Sequence, residues 1–203
     1  MIRFFLPLIF IGNCIPGLSQ DFKKYYAIVF DANMPLSNKD FVDNISKRGA
    51  RFIYREHINS KFSVGGDLGF ATYNDRLPPQ TYTNGNTTVF AELFNYVYNY
   101  TLSLSGEYYF TEEKWIKPFA GLGIGMCYSR YTFYYNVFAD QDRAWGGLVR
   151  PNVGTLLRFG KRSRLAARIS IHFDYSTTKS ADFDYNNFTN LGADAGLTLL
   201  FRP

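Results

Sequence analysis

Few residues in this chain have the type and spacing to do chemistry. There are two histidines. His172 stands two residues before Asp174 and four after Arg168, so on a strand all three share one face. A histidine beside a carboxylate is half of a nucleophilic site. Residues two apart also simply share a wall, however, and no serine is marked as a nucleophile. An interior polar network explains the trio better. His57 falls at a strand end and is expected at an interface. Asp67, Glu107, Asp174 and Asp194 could form an acid/base pair, but arginine partners account for them more simply.

Other motifs give less. GLGIG (121–125) superficially suggests a nucleotide loop, yet a genuine fingerprint needs a following helix, and this one lies mid-strand. DQD (140–142) and DFDY (182–185) place acids in connecting loops. Such acids can bind calcium, but solvated loops are the simpler expectation. Asn86-Thr87-Thr88 fits a glycosylation pattern that means little in a bacterium. Cys127 is a small filler. The chain is therefore expected to be no enzyme, with no catalytic residue, metal or cofactor.

The elements that would hold these side chains are strands. Two-residue alternation runs through eight segments: Tyr25–Met34, Arg48–Ile58, Lys61–Tyr73, Tyr96–Phe110, Ile116–Tyr131, Trp145–Phe159, Arg164–Ser176 and Leu191–Arg202. In the seventh, Leu165, Ile169, Ile171 and Phe173 take one face, while Arg168, Ser170, His172 and Asp174 take the other. Connections alternate too. They are short near Asn59-Ser60, Glu112-Glu113 and Lys161-Arg162. They are long elsewhere, the longest from about Asn74 to Asn95. Short turns at one end and long loops at the other characterise an outer-membrane barrel. The expected fold is all-β: an eight-stranded antiparallel up-and-down transmembrane β-barrel.

The polar face collects Asp31, Arg51, Arg55, Asp67, Glu107, Arg150, Arg158, Arg168, His172, Asp174, Asp194 and Arg202, among many Gly, Ser and Thr. A soluble barrel would turn this face to water, and long lysines and glutamates should dominate it. Instead arginine and acid are nearly balanced and lysine is scarce mid-strand. That mix suits a narrow interior. Eight strands leave room only for side chains, buried charges must be paired, and the arginine fork can grip both carboxylate oxygens. The apolar face ends in Tyr26, Tyr108, Phe110, Trp145, Phe159, Tyr175 and Phe201, at the levels where aromatic girdles sit. The apolar side is expected outward, against lipid.

The start of the chain reads as an export signal: Arg3, an apolar run from Phe4 to Ile11, then Gly17-Leu18-Ser19. Residues 1–19 are expected to leave, with 20–203 forming the barrel. A lipoprotein signal acylating Cys14 is the rival; an uncleaved anchor would be too short to span a bilayer. The net charge of +5 falls to +4 once Arg3 is removed, and no basic run points to nucleic acid. Without Cys14, Cys127 is alone and no internal disulfide can form.

RGARFIYREHINSKFSVGGDLGFATYN resembles the second hairpin of small bacterial outer-membrane β-barrel proteins, especially the Bacteroidetes type. WIKPFAGLGIGMCY is similar to that family's K-P-Y-x-G-x-G-x-G strand, with Phe119 where tyrosine is usual. The wider group includes the outer-membrane protein A and X barrels. The family commonly ends on an aromatic residue, whereas here Arg202-Pro203 follow Phe201. The resemblance implies a Gram-negative outer-membrane location. The implied partners are outer-membrane lipid, the barrel-insertion machinery during biogenesis, and another outer-membrane protein as a candidate. The expected role is structural or interactive, with a plugged polar interior and extracellular loops. The alternatives are an accessory subunit of a larger outer-membrane complex or a narrow-solute channel, and after them a secreted soluble ligand-binding barrel.

Overall fold

The computed structural model describes residues 22–84, 87–111, 115–135, 138–160, 163–180 and 185–201. Its elements are eight strands: β1 Lys24–Pro35, β2 Ser46–His57, β3 Phe62–Asn84, β4 Thr87–Tyr109, β5 Ile116–Tyr135, β6 Phe138–Arg158, β7 Leu165–Ser176 and β8 Phe188–Phe201. Each pairs antiparallel with the next, and β8 pairs back on β1, so the sheet closes into a barrel. The closing seam runs unbroken from Lys24↔Phe201 to Pro35↔Asn190. Ser19 and everything before it, and Arg202, lie outside the described residues.

Alternation fixes which way each residue faces. In β7 the even-numbered residues from Ala166 to Ser176 are buried, and all the odd-numbered ones except half-exposed Ala167 are exposed. Ile28, Leu68, Leu104, Ile124, Val153, Ile169 and Leu197 stand on the outer wall, each around half exposed or more. Arg51, Arg55, Arg168, Glu107 and Asp194 are inside and buried. The barrel is thus apolar outside and charged inside, the reverse of a soluble barrel. A ten-residue run at about 3.3 Å per step, tilted by about 40°, gives this outer belt a height of about 25 Å.

The β2–β3 connection lies at the end that carries both described termini. In the β2–β3 turn, Asn59 Oδ1 accepts hydrogen bonds from the amides of Lys61 (2.9 Å) and Phe62 (2.8 Å), a local Asx turn. The opposite end differs from the sequence reading. The Asn74–Asn95 tract is mostly not a loop. β3 and β4 each run for 23 residues and pair from Phe62↔Tyr108 to Asn84↔Thr87, with a register shift between Leu77 and Gln80 at Pro78-Pro79. Likewise DQD is not in a loop: Asp140 and Asp142 lie on β6, and Asp142 accepts from Ser180 Oγ at 2.5 Å. β3–β6 therefore continue above the barrel as a projecting sheet. Polar cross-strand neighbours in a hairpin pair as well as apolar ones do, so a polar composition does not end a strand whose partner continues.

The β1–β2 connection folds inward over the lumen. Phe41 and Val42 pack with Ala71, Tyr73, Val97, Tyr131 and Phe188 to close the top. Asn38 takes φ 55°, a conformation asparagine tolerates, and its amide donates to Asn187 O at 3.0 Å. Tyr185 donates to Asp40 Oδ2 at 3.3 Å. Burial, and then that carboxylate, hold its phenol well above the usual tyrosine range. Asp182 and Asp184 of DFDY lie outside the described residues.

Candidate functional site in the barrel lumen

The barrel interior is built in tiers. At the lower end, Phe22, Tyr25, Ala27, Val29, Ile53, Leu156, Ala166 and Leu200 form an apolar floor. His57 belongs to this floor. It is buried, with its ring centre 4.7 Å from Phe22 and 5.0 Å from Tyr109. The interfacial place read from the sequence is therefore corrected: His57 shares the inward parity of Arg55. Arg158 lies at the same end, its guanidinium 5.9 Å from the Phe22 ring centre.

Above the floor, Glu107 is the hub of the first charged tier. Its Oε1 meets Arg168 Nη2 at 2.8 Å and Arg55 Nη2 at 3.0 Å. Its Oε2 accepts from Tyr25 (2.8 Å), Tyr109 (3.0 Å) and Arg168 Nη1 (3.3 Å). Arg55 also grips both oxygens of Asp67, at 2.6 and 3.1 Å, and Ser105 donates to Asp67 Oδ2 at 2.8 Å. The Arg168 guanidinium stacks 4.2 Å above Phe119, so Phe119 serves as a cation platform.

The next tier joins Arg51 Nη1 to Asp194 Oδ2 at 2.9 Å, with Ser170 Oγ donating to the same oxygen at 2.7 Å. His172 lies alongside, its Nδ1 3.1 Å from Arg51 Nη1 and its Nε2 3.2 Å from Asn33 Oδ1. Uppermost, Arg150 holds both oxygens of Asp174, at 2.5 and 2.6 Å. Asp31 lies 3.7 Å from His172 Nε2. Glycines make the space these groups need. A Cβ on Gly192 would land on the His172 ring and the Asn33 amide, and one on Gly49 on the Asp31 carbonyl.

Of the twelve polar-face residues, Arg202 lies outside the described residues; the other eleven are all buried inside the barrel. The histidine–carboxylate pair is not arranged as a relay. His172 and Asp174 are 3.9 Å apart, Asp174 is held by Arg150, and Ser170 is spent on Asp194. GLGIG lies within β5, strand on both sides. Cys127 faces inward, buried, 3.6 Å from Ser129 Oγ.

Sequence reasoning missed the inward aromatics. Tyr25, Tyr73, Tyr109 and Tyr131 are all fully buried or nearly so. Their parity was available, since Tyr109 is two residues from Glu107 and Tyr73 six from Asp67. Phe22 and the Phe41-Val42 plug carry no alternation signal.

No protein-family profile matches the chain, and no curated protein does. Solved structures do. Neisserial surface protein A (NspA) superposes with a TM-score of 0.53 at 11% identity, over 90% of this chain and 98% of that one. OprG from Pseudomonas aeruginosa gives 0.48 at 13% identity, over 91% and 98%. Ail of Yersinia pestis gives 0.47 at 9%, over 87% and 97%. At these identities the likeness is one of fold. Closed strand order and superposition on NspA agree: the chain has the eight-stranded antiparallel up-and-down architecture of the small outer-membrane β-barrels.

Proposed function

We propose that the chain is an integral outer-membrane protein of a Gram-negative bacterium, exported by its N-terminal signal, with an interaction role exerted from the outer surface. The observation that carries the membrane reading is the inverted barrel: a continuous apolar outer wall around a lumen of buried ion pairs. Water would penalise such a wall, and lipid favours it. The top of the belt supports the reading. Tyr128 and Trp145 lie ring to ring at 4.8 Å, and Arg130 stacks on Tyr98 at 4.4 Å. Arg130 and Arg143 stand directly opposite each other on the outer face. Like charges there repel in water, but anionic headgroups at that level would offset them.

In this reading the lumen serves as a polar core, which the buried ion pairs of its tiers support. The interaction role rests on the projecting sheet. Its outer face carries a cleft lined by Phe94, Tyr96, Tyr98 and Tyr134, of about 460 Å³. Arg76 lies 5.8 Å from the Phe94 ring centre. Beyond Asp75, β3 pairs only with β4 among the described residues. Pro78 and Pro79 lack the amides that would recruit another strand there. Recognition therefore falls to the aromatic face and not to the edge. The chain performs no catalysis in this reading.

A second reading, an accessory subunit, is favoured by one feature of the outer wall. A shallow apolar groove of about 690 Å³ runs over Gly66 and Gly106, between Phe62, Val64, Leu104 and Ile124. A helix or acyl chain of a neighbouring membrane protein would fit along it.

The test is fractionation followed by gel mobility with and without boiling. A heat-dependent mobility shift in the outer-membrane fraction is expected. A soluble periplasmic protein with no shift refutes the proposal. Liposome swelling separates the plugged lumen from the channel reading: sugars should not enter faster than in empty vesicles.

A further inference from the structure

Four of the five carboxylates in the central tiers have an arginine in direct contact: Asp67 has Arg55, Glu107 has Arg55 and Arg168, Asp174 has Arg150, and Asp194 has Arg51. Asp31 is the exception among the described residues. Its close ionisable neighbours are His172, at 3.7 Å, and the carboxylate of Asp194, its cross-strand partner, within 4.8 Å, while Arg51 and Arg150 act on it only from farther away. Asp31 is 3% exposed, and its Oδ1 has no hydrogen-bond partner. A buried carboxylate oxygen left in this state is costly.

Oxygens crowd the same imidazole nitrogen. His172 Nε2 is 3.2 Å from Asn33 Oδ1, 3.7 Å from Asp31 Oδ1 and 3.9 Å from Asp174 Oδ2. One ring N–H can serve only one of the three. Donors bound to an ion at about 2.1 Å stand about 3–4 Å from one another, and each of these oxygens lies at that distance from Nε2. A cavity of about 10 Å³ lies beside the cluster, lined by Asp31, Asn33 and Asp174 but not by His172.

We propose that this cluster is a binding site for one divalent first-row transition-metal ion. Asp31 Oδ1, His172 Nε2 and Asn33 Oδ1 are the ligands, and Asp174 borders the site. One imidazole among hard oxygens suits Zn²⁺, Mn²⁺ or Fe²⁺. Arg51 only donates, so Nδ1 accepts from it in the metal-free state and the ring proton sits on Nε2. Metal takes the Nε2 lone pair and the proton moves to Nδ1. There Asp194 Oδ2, 3.5 Å away, accepts it. Arg51 gives up Nδ1 and keeps Asp194. Asp194 then orients the ligand from behind, as carboxylates commonly do for metal-bound histidine. Asp31 and Asn33 come from β1, His172 from β7 and Asp194 from β8, so the ion would tie together the three strands that close the ring.

The experiment uses the full-length mature barrel, without a histidine tag, folded in detergent after chelation, with Co²⁺ as the probe. The expected result is one Co²⁺ per chain, with visible absorption bands that Zn²⁺ abolishes. Asp31→Asn and His172→Gln should each weaken Co²⁺ binding by about tenfold or more, while Asp140→Asn, on the projecting sheet, should leave it unchanged. Failure of the folded wild-type barrel to retain Co²⁺ overturns the proposal, as does equal affinity in folded Asp31→Asn and His172→Gln. If neither variant folds, X-ray absorption on the Zn²⁺-loaded wild type decides. One imidazole nitrogen among oxygens supports the site, and an all-oxygen shell overturns it.

Discussion

Arg168→Ala is the sharpest probe of the lumen. The guanidinium is fully buried and makes two contacts to Glu107, at 2.8 and 3.3 Å, and one to Tyr25, at 2.9 Å. Removing one partner of a buried ion pair typically costs about 3–5 kcal/mol. Glu107 would keep Arg55 at 3.0 Å and two tyrosine hydroxyls, which places the loss near the lower limit. The vacated space beside Phe119 adds about 1 kcal/mol. The expected destabilisation is therefore about 4 kcal/mol. Ser63→Ala is the control: its hydroxyl is buried without a partner, and its loss should change stability by less than about 0.5 kcal/mol. The assay is urea unfolding of the barrel in detergent, followed by tryptophan emission and by the heat-modifiable band. Arg168→Ala combined with Glu107→Gln should cost less than the sum of the two single changes, because the second removes the charge that the first leaves exposed. Equal midpoints for Arg168→Ala and Ser63→Ala would refute the claim that ion pairs hold this interior.

Asp194→Ala should destabilise by about 3 kcal/mol in the same assay, since it strands the Arg51 guanidinium in the middle tier. Gly192→Ala should cost about 1–3 kcal/mol by overpacking His172, whereas Gly160→Ala, whose Cβ would meet only Ser163, at 3.8 Å, among the described residues, should fall within about 0.5 kcal/mol of wild type. Leu104→Arg, at the most exposed of these outer-wall positions, should lower stability by about 2–4 kcal/mol in a phospholipid bilayer; a soluble barrel would be indifferent to it. Cys127 should resist a maleimide until the barrel unfolds, because its thiol is buried among Ser129 and the lumen wall; rapid labelling of the folded protein would contradict the packed interior.

The parts of the fold that show in the sequence are those written in period two. Leu165 to Ser176 alone fixes a strand, its two faces and, through its arginine, histidine and aspartate, the polarity of the interior. Pairings across the lumen do not show. Arg168 and Glu107 are 61 positions apart, and their meeting depends on shear and tilt, which no single strand encodes. The projecting sheet was hidden for a different reason. From Asp75 to Asn95 the residues are polar and interrupted by two prolines, so their composition mimics a loop; their strand character comes from the partner opposite. The top plug was invisible because Phe41 and Val42 act singly, at one point in space, without repetition along the chain.

The seam between β1 and β8 sets the timing of assembly. Its twelve paired positions join the first strand of the barrel to the last, so not one can form until the whole chain has been delivered. Every hairpin from β1–β2 to β7–β8 can form earlier, by closing a short loop, while the seam requires closing the longest one. Until that moment the sheet is an open ribbon with an unsatisfied row of amides and carbonyls along each margin. Such a ribbon cannot rest in hydrocarbon and invites pairing with any strand it meets. Closure is thus the committing step: it satisfies both margins at once, each with the other.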